Sequence, residues 1–69
     1  MDAIIEELAT RKAEIELAID ALFKTNMKIT DWDVPEADDK RAAKLLLDIM
    51  QKKINQIRSD VEAGKYDNY

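Results

Sequence analysis

The side chains best placed to do chemistry are five carboxylates within nine residues: Asp31, Asp33, Glu36, Asp38 and Asp39. Clustered carboxylate oxygens are the ligands that hard divalent cations prefer. The spacing does not fit a calcium loop of twelve residues, because its sixth position would be Glu36 instead of Gly and its twelfth Ala42 instead of Glu. We therefore expect no metal site, and interpret these acids as turn and helix-capping residues.

Residues for covalent or acid–base catalysis are not evident in the sequence. There is no cysteine and no histidine, which removes the usual neutral base, a common nucleophile and the commonest metal ligand. Ser59 is the only serine and Gly64 the only glycine, so neither an activated hydroxyl nor a glycine-rich phosphate loop can be identified. We expect a protein that is not an enzyme and binds no cofactor.

Charge is strongly polarised along the chain, whose formal net charge is −4. Residues 31–39 hold five acids and no base, whereas residues 40–69 hold four acids and seven bases. Lys40, Arg41 and Lys44 form a small basic face, which we interpret as solvated and locally paired, for example through Glu36–Lys40. Nucleic-acid binding through this face stays an alternative, although no aromatic residue is interleaved and the chain is acidic overall.

The sequence carries no sign of a membrane or export signal. Its beginning is acidic, and its longest apolar run is Leu45-Leu46-Leu47, far short of the ~20 residues of a spanning helix. We expect a cytoplasmic protein that does not enter the membrane.

Helical periodicity fills most of the chain. From Met1 to Ile29 apolar residues recur in steps of four and three, interrupted only by Lys12 and Asn26, which is the heptad pattern of packed helices. We predict helix 1 over about 2–29, a turn over 30–33, helix 2 over about 34–63, and a short polar tail over 64–69.

The start of the second helix is predicted from capping signals. Asp33 is a good N-cap residue, Glu36 lies three residues later as in a capping box, and Pro35 suits the first helical turn. Gly64 is a natural residue just past the end of helix 2. With so short a connection, the two helices must form an antiparallel hairpin. The predicted fold is all-α: one helical-hairpin domain, coiled-coil-like, over residues 1–69.

The helices carry more apolar side chains than one hairpin seam can bury. We predict that the surplus forms a partner or dimer interface, made of Leu45, Ile49, Leu46, Leu17, Ile4 and Phe23. A chain of 69 residues without disulfides has marginal stability. We therefore expect a two-fold homodimer that forms a four-helix bundle, with docking on a different protein as the alternative.

Trp32 and its neighbours Asp31 and Asp33 stand at the tip of the predicted hairpin. Trp32 either folds over the end of the bundle or serves as an exposed anchor for a partner. The favoured function is a non-catalytic protein–protein interaction module, such as a small viral or mobile-element regulator that inhibits a host enzyme. A structural component of a helical bundle and a small dimeric nucleic-acid-binding hairpin are the alternatives.

Overall fold

Two helices make up the structure. The computed structural model describes residues 2–68, in which α1 (Ala3–Asp33) and α2 (Asp39–Glu62) pack against each other and no strand occurs. The predicted all-helical hairpin is thereby confirmed. Neither helix in this part of the chain is long and apolar enough to cross a membrane.

Helix α1 is longer than the sequence pattern indicated. The Asp2 side chain caps its start by accepting a hydrogen bond of 2.9 Å from the backbone N–H of Ile4. The predicted turn at residues 30–33 is wrong, because the helix continues to Asp33. Thr30 fits inside the helix since its hydroxyl donates to the Asn26 carbonyl at 2.9 Å.

The connection between the helices is built around Pro35. A proline disfavours the helical conformation of the residue before it, and Val34 accordingly has φ −132 and ψ 75, which ends α1. The backbone N–H of Ala37 then donates to the Val34 carbonyl at 3.0 Å, closing a β-turn with Pro35 in its second position, where proline is favoured. Pro35 therefore stops the first helix and does not begin the second.

Asp38, not Asp33, caps α2. Its Oδ1 accepts hydrogen bonds from the backbone N–H groups of Lys40 at 3.0 Å and Arg41 at 3.3 Å. The predicted capping box of Asp33 and Glu36 is wrong, because both residues precede the helix. Asp38 offers the same side-chain chemistry five residues later, beyond the proline turn.

The end of α2 has the geometry expected from Gly64. Gly64 adopts φ +86, its N–H donates to the Val61 carbonyl, and the N–H of Lys65 donates to the Asp60 carbonyl, both at 3.0 Å. This is a Schellman motif, which satisfies carbonyls that the helix leaves without partners. Glycine is favoured here because residues with a Cβ rarely adopt this backbone conformation. A Cβ at Gly64 would also lie 3.0 Å from the Asp67 carboxylate, which is the end of a flexible side chain and can move aside.

Contact between the helices is confined to the end near the turn. None of residues 2–68 is buried. Apart from Asp60, the half-buried side chains of the two helices are Phe23, Asn26, Met27 and Thr30 of α1 and Ala42, Ala43, Leu46 and Met50 of α2. The half-buried Asn26 amide is satisfied by donating to the Leu22 carbonyl at 2.8 Å. Towards the open end of the hairpin, the helices separate and their apolar side chains face solvent.

The dimensions show the same separation. The extents are 51 × 27 × 17 Å and the radius of gyration is 16.0 Å, whereas a compact domain of this length has a radius of gyration of about 11 Å. The accessible surface is 6403 Å², compared with about 4,400 Å² for a compact monomer of this mass. The hairpin thus exposes about 2,000 Å² more than a closed fold of its size.

Removing the α2 cap tests the revised helix start. Asp38→Ala should lower the free energy of unfolding by about 1 kcal/mol, because two backbone N–H groups lose their acceptor. Asp33→Ala is the matched control, and should change the stability by less. Chemical denaturation followed by circular dichroism measures both, and a larger loss in Asp33→Ala would contradict this assignment.

Candidate interaction surfaces

An exposed apolar row runs along most of α1, and we call it the helix 1 stripe. Its members recur at intervals that keep them on one side of the helix: Ile4, Leu8, Ile15, Ile19, Leu22 and Ile29. Between 39% and 70% of the surface of each side chain is exposed. Lys12 interrupts this row, and its ammonium reaches out to Glu16 at 3.7 Å in solvent. Ile19 also lines the cleft that faces α2, and the other members of the stripe have no covering element among residues 2–68.

A second apolar surface lies where the two helices begin to separate, and we call it the inner cleft. It encloses about 630 Å³ and is lined by Leu17, Ile19 and Phe23 from α1 and by Leu47 and Met50 from α2, with Ala13, Glu16 and Asp20 at its edge. Along α2 the apolar row continues beyond the cleft through Ile54, Ile57 and Val61, each 41–51% exposed.

The third surface, the outer groove, lies at the turn end. Its apolar walls come from the end of α1, the connection and the first turns of α2: Thr30, Val34, Ala37, Ala42, Leu45, Leu46 and Ile49. It encloses about 360 Å³. Leu45 is 51% and Ile49 67% exposed. Because Leu45 and Leu47 are two residues apart, their side chains point to nearly opposite sides of α2, so the outer groove and the inner cleft are separate surfaces.

Positive charge borders the outer groove. Arg41 lines the groove itself, and a neighbouring depression of about 340 Å³ is formed by Asp38, Lys40, Arg41, Lys44 and Leu45. Within residues 2–68, no carboxylate lies within 4 Å of the cationic groups of Lys40, Arg41 or Lys44. The predicted Glu36–Lys40 pair is thus wrong. Since the Asp38 carboxylate is occupied as the helix cap, the three cations remain available to an acidic partner.

The acidic tip presents a different surface. Trp32 lies in the last turn of α1 and is 86% exposed, so within the single hairpin its side chain is not packed against other residues. Its neighbours Asp31 and Asp33 lie on the same helical turn. A hydrogen bond with the Asp39 carboxyl group across the connection, together with partial desolvation and repulsion from Asp39, raises the pKa of Asp31 above its usual value. In the described part of the chain, no three acids are grouped closely enough to hold a metal ion.

The predicted interface residues fall on three surfaces instead of one. Leu45, Leu46 and Ile49 line the outer groove, Leu17 and Phe23 line the inner cleft, and Ile4 lies on the helix 1 stripe. Sequence reasoning missed Val34 and Ala37, which wall the outer groove. The signal for them is Pro35, because a proline that ends α1 places both residues in the connection.

Comparisons with known protein families, with curated proteins and with solved structures give no match. The surfaces of the hairpin combine exposed apolar area, a cationic rim without carboxylate partners in residues 2–68 and an acidic tip, features that are common at protein–protein contacts in general.

The carboxyl pair at the turn predicts a pH effect on stability. The pKa of Asp31 is raised in the folded chain, so the folded chain holds this proton more tightly than the unfolded chain, and the stability falls as the pH rises through the range just above the usual pKa of an aspartate. Asp31→Asn removes the repulsion, and should raise the Tm at pH 7 relative to the wild type, with the difference shrinking towards pH 4.

The matched control is Asp33→Asn, which removes one negative charge from the same helical turn. It should not show the same narrowing of the Tm difference as the pH falls. Thermal unfolding followed by circular dichroism between pH 4 and 7 gives the comparison. Equal pH profiles for the two variants would show that the Asp31–Asp39 contact is not the cause.

Proposed function

We propose that this chain is a non-catalytic protein–protein interaction module that works as a homodimer, two hairpins packing as an antiparallel four-helix bundle. In this role it regulates or inhibits another protein by binding to it. The observation that carries the proposal is that no side chain in residues 2–68 is buried, although the helices bear long rows of isoleucine and leucine.

The amount of exposed surface supports a second copy as the covering element. The excess of about 2,000 Å² per chain would give an interface of up to about 4,000 Å² in a dimer, which is the range of obligate homodimers. Burying each exposed leucine or isoleucine contributes roughly 1.5–3 kcal/mol. A contact between copies therefore supplies the hydrophobic stabilisation that the hairpin alone lacks, and two-fold dimers are the commonest closed assembly.

The tip supports binding of a further protein by the dimer. Trp32 is almost fully exposed, and tryptophan is enriched among residues that dominate binding energy. The neighbouring Asp31 and Asp33 favour a target with a positive surface, because opposite charges speed association and exclude like-charged partners. A regulator that engages a basic site on its target has this arrangement.

A charged substitution on the helix 1 stripe tests the homodimer. Ile19→Glu should convert the protein from dimer to monomer at micromolar concentration, because a carboxylate would be placed in the shared apolar core. Its helix content should fall as well. The wild type should show a Tm that rises with protein concentration, as expected when unfolding is linked to dissociation. Sedimentation equilibrium gives the mass.

Ala21→Glu is the matched control, since it adds the same charge two residues away on the nearly opposite side of α1. It should leave the dimer intact. A wild-type protein that is a well-folded monomer at micromolar concentration would refute the homodimer. A mass well above that of a dimer would instead favour the structural role, in which hairpins assemble into larger bundles.

A further inference from the structure

Helix α1 extends beyond the end of α2, and the extension has a distinctive chemistry. The connection is centred on residue 36. Glu62, the end of α2, and Thr10 are equally far from this residue along the chain, so they lie level with each other in an antiparallel hairpin. Residues 3–9 therefore have no α2 residues beside them. We call residues 2–8 the overhang. It contains the acids Asp2, Glu6 and Glu7, no base, and the exposed apolar residues Ile4, Ile5 and Leu8.

We propose that the overhang of one protomer occupies the outer groove of a second copy, with Ile4 and Leu8 on the apolar floor and Glu7 beside Arg41 and Lys44. The inference rests on the proposed homodimer and specifies how its two ends are joined. The outer groove gains a role in this contact, because the packing of the two helices within one hairpin does not cover it.

Charge complementarity selects this occupant. Within residues 2–68, no carboxylate lies within 4 Å of the cationic groups of Arg41 or Lys44. No lysine or arginine of this part of the chain lies within that distance of the Glu7 carboxylate, and Arg11, one helical turn further along, contacts Glu14 at 3.8 Å. Glu7 on one surface and the two bases on the other can therefore pair when the surfaces meet. Glu6, two residues from both Ile4 and Leu8, lies on the nearly opposite side of α1.

The apolar spacing fits as well. Ile4 and Leu8 are one helical turn apart, as are Leu45 and Ile49 at the groove, so each pair forms a ridge of two side chains on its helix. Ile4 is 70% and Ile49 67% exposed, and these two residues gain most from being covered. Helices pack by placing such ridges into grooves of matching spacing.

Symmetry makes the contact occur twice. The overhang and the outer groove lie at opposite ends of a hairpin 51 Å long. An antiparallel two-fold arrangement places the open end of each protomer over the turn end of the other, so both overhangs meet a groove. The contact is then isologous and closed, and leaves no free end for further growth.

A charge exchange between two variants tests the contact. Glu7→Lys and Arg41→Glu/Lys44→Glu should each weaken the homodimer by about tenfold in Kd at low salt, because both symmetric contacts then oppose like charges. Mixing the two variants should restore dimerisation, since in the mixed dimer one contact has its charges exchanged and the other is wild type. Sedimentation of the single and mixed samples measures this, and circular dichroism checks that each variant keeps its helices.

The matched control replaces the groove variant by Lys52→Glu/Lys53→Glu, which reverses two charges of α2 outside the outer groove. The control variant keeps both contact surfaces and should form its own homodimer. Its mixed dimer with Glu7→Lys retains one like-charged contact, and should be weaker than the mixed dimer of Glu7→Lys with Arg41→Glu/Lys44→Glu. Equal stability of the two mixed dimers would overturn the specific contact. Single variants that dimerise as tightly as the wild type would also overturn the specific contact. If the wild type is a dimer in that experiment, the proposed homodimer still stands. A monomeric wild type would end both proposals.

A crosslink gives a second measurement that does not depend on charge. The chain has no cysteine, so Ile4→Cys/Ile49→Cys introduces the only thiols. Counted from residue 36, Ile49 lies level with Phe23, about 28 Å along α1 from Ile4, whereas a disulfide needs Cα atoms within about 7 Å. Rapid formation of covalent dimers under mild oxidation supports the contact. Rates no faster than those of Ile4→Cys/Gln51→Cys, whose second position lies on the nearly opposite side of α2 from Ile49, would overturn it.

Discussion

The structure depends on one constraint: two helices that are in contact over only part of their length can bury only a small part of their apolar surface. Each helix buries at most one side against its neighbour, and here only Phe23–Thr30 of α1 and Ala42–Met50 of α2 are close enough to share that side. The remaining isoleucines and leucines stay in water. Since hydrophobic burial is the main favourable term in folding, a hairpin of this kind reaches ordinary stability when another surface covers it.

The proline turn determines where that covering surface can lie. Pro35 ends α1 and Asp38 begins α2, so five residues separate the helices. The connection is long enough for Val34 and Ala37 to form one wall of the outer groove. The helices have 31 and 24 residues, with Asp2 capping the start of α1 and Gly64 following the end of α2, and the difference in length appears at the far end as the overhang.

Charged residues can specify how two mostly apolar surfaces are oriented relative to each other. Apolar contact alone specifies this orientation poorly, because its free energy is roughly proportional to the buried area and is not directional. The charges along this chain are sorted into an acidic overhang, an acidic tip and a basic rim at the outer groove. Exposed charges act over roughly 10 Å at ordinary ionic strength, so in the proposed dimer they would influence which surfaces approach one another, while the apolar side chains would supply most of the binding energy.

The sequence by itself determined the helical class and the hairpin, because helical periodicity, capping residues and the glycine after α2 act over a few residues and can be read locally. It also indicated that Leu45 and Ile49 lie apart from the hairpin seam. It did not determine which of two aspartates caps α2, since Asp33 and Asp38 offer the same chemistry and only the backbone at Val34 and Pro35 decides between them. The separation of the helices, the exposure of Trp32 and the division of the apolar residues among stripe, cleft and groove depend on the angle at which α1 meets α2. That angle follows from packing between residues distant in sequence, and only the tertiary structure shows it.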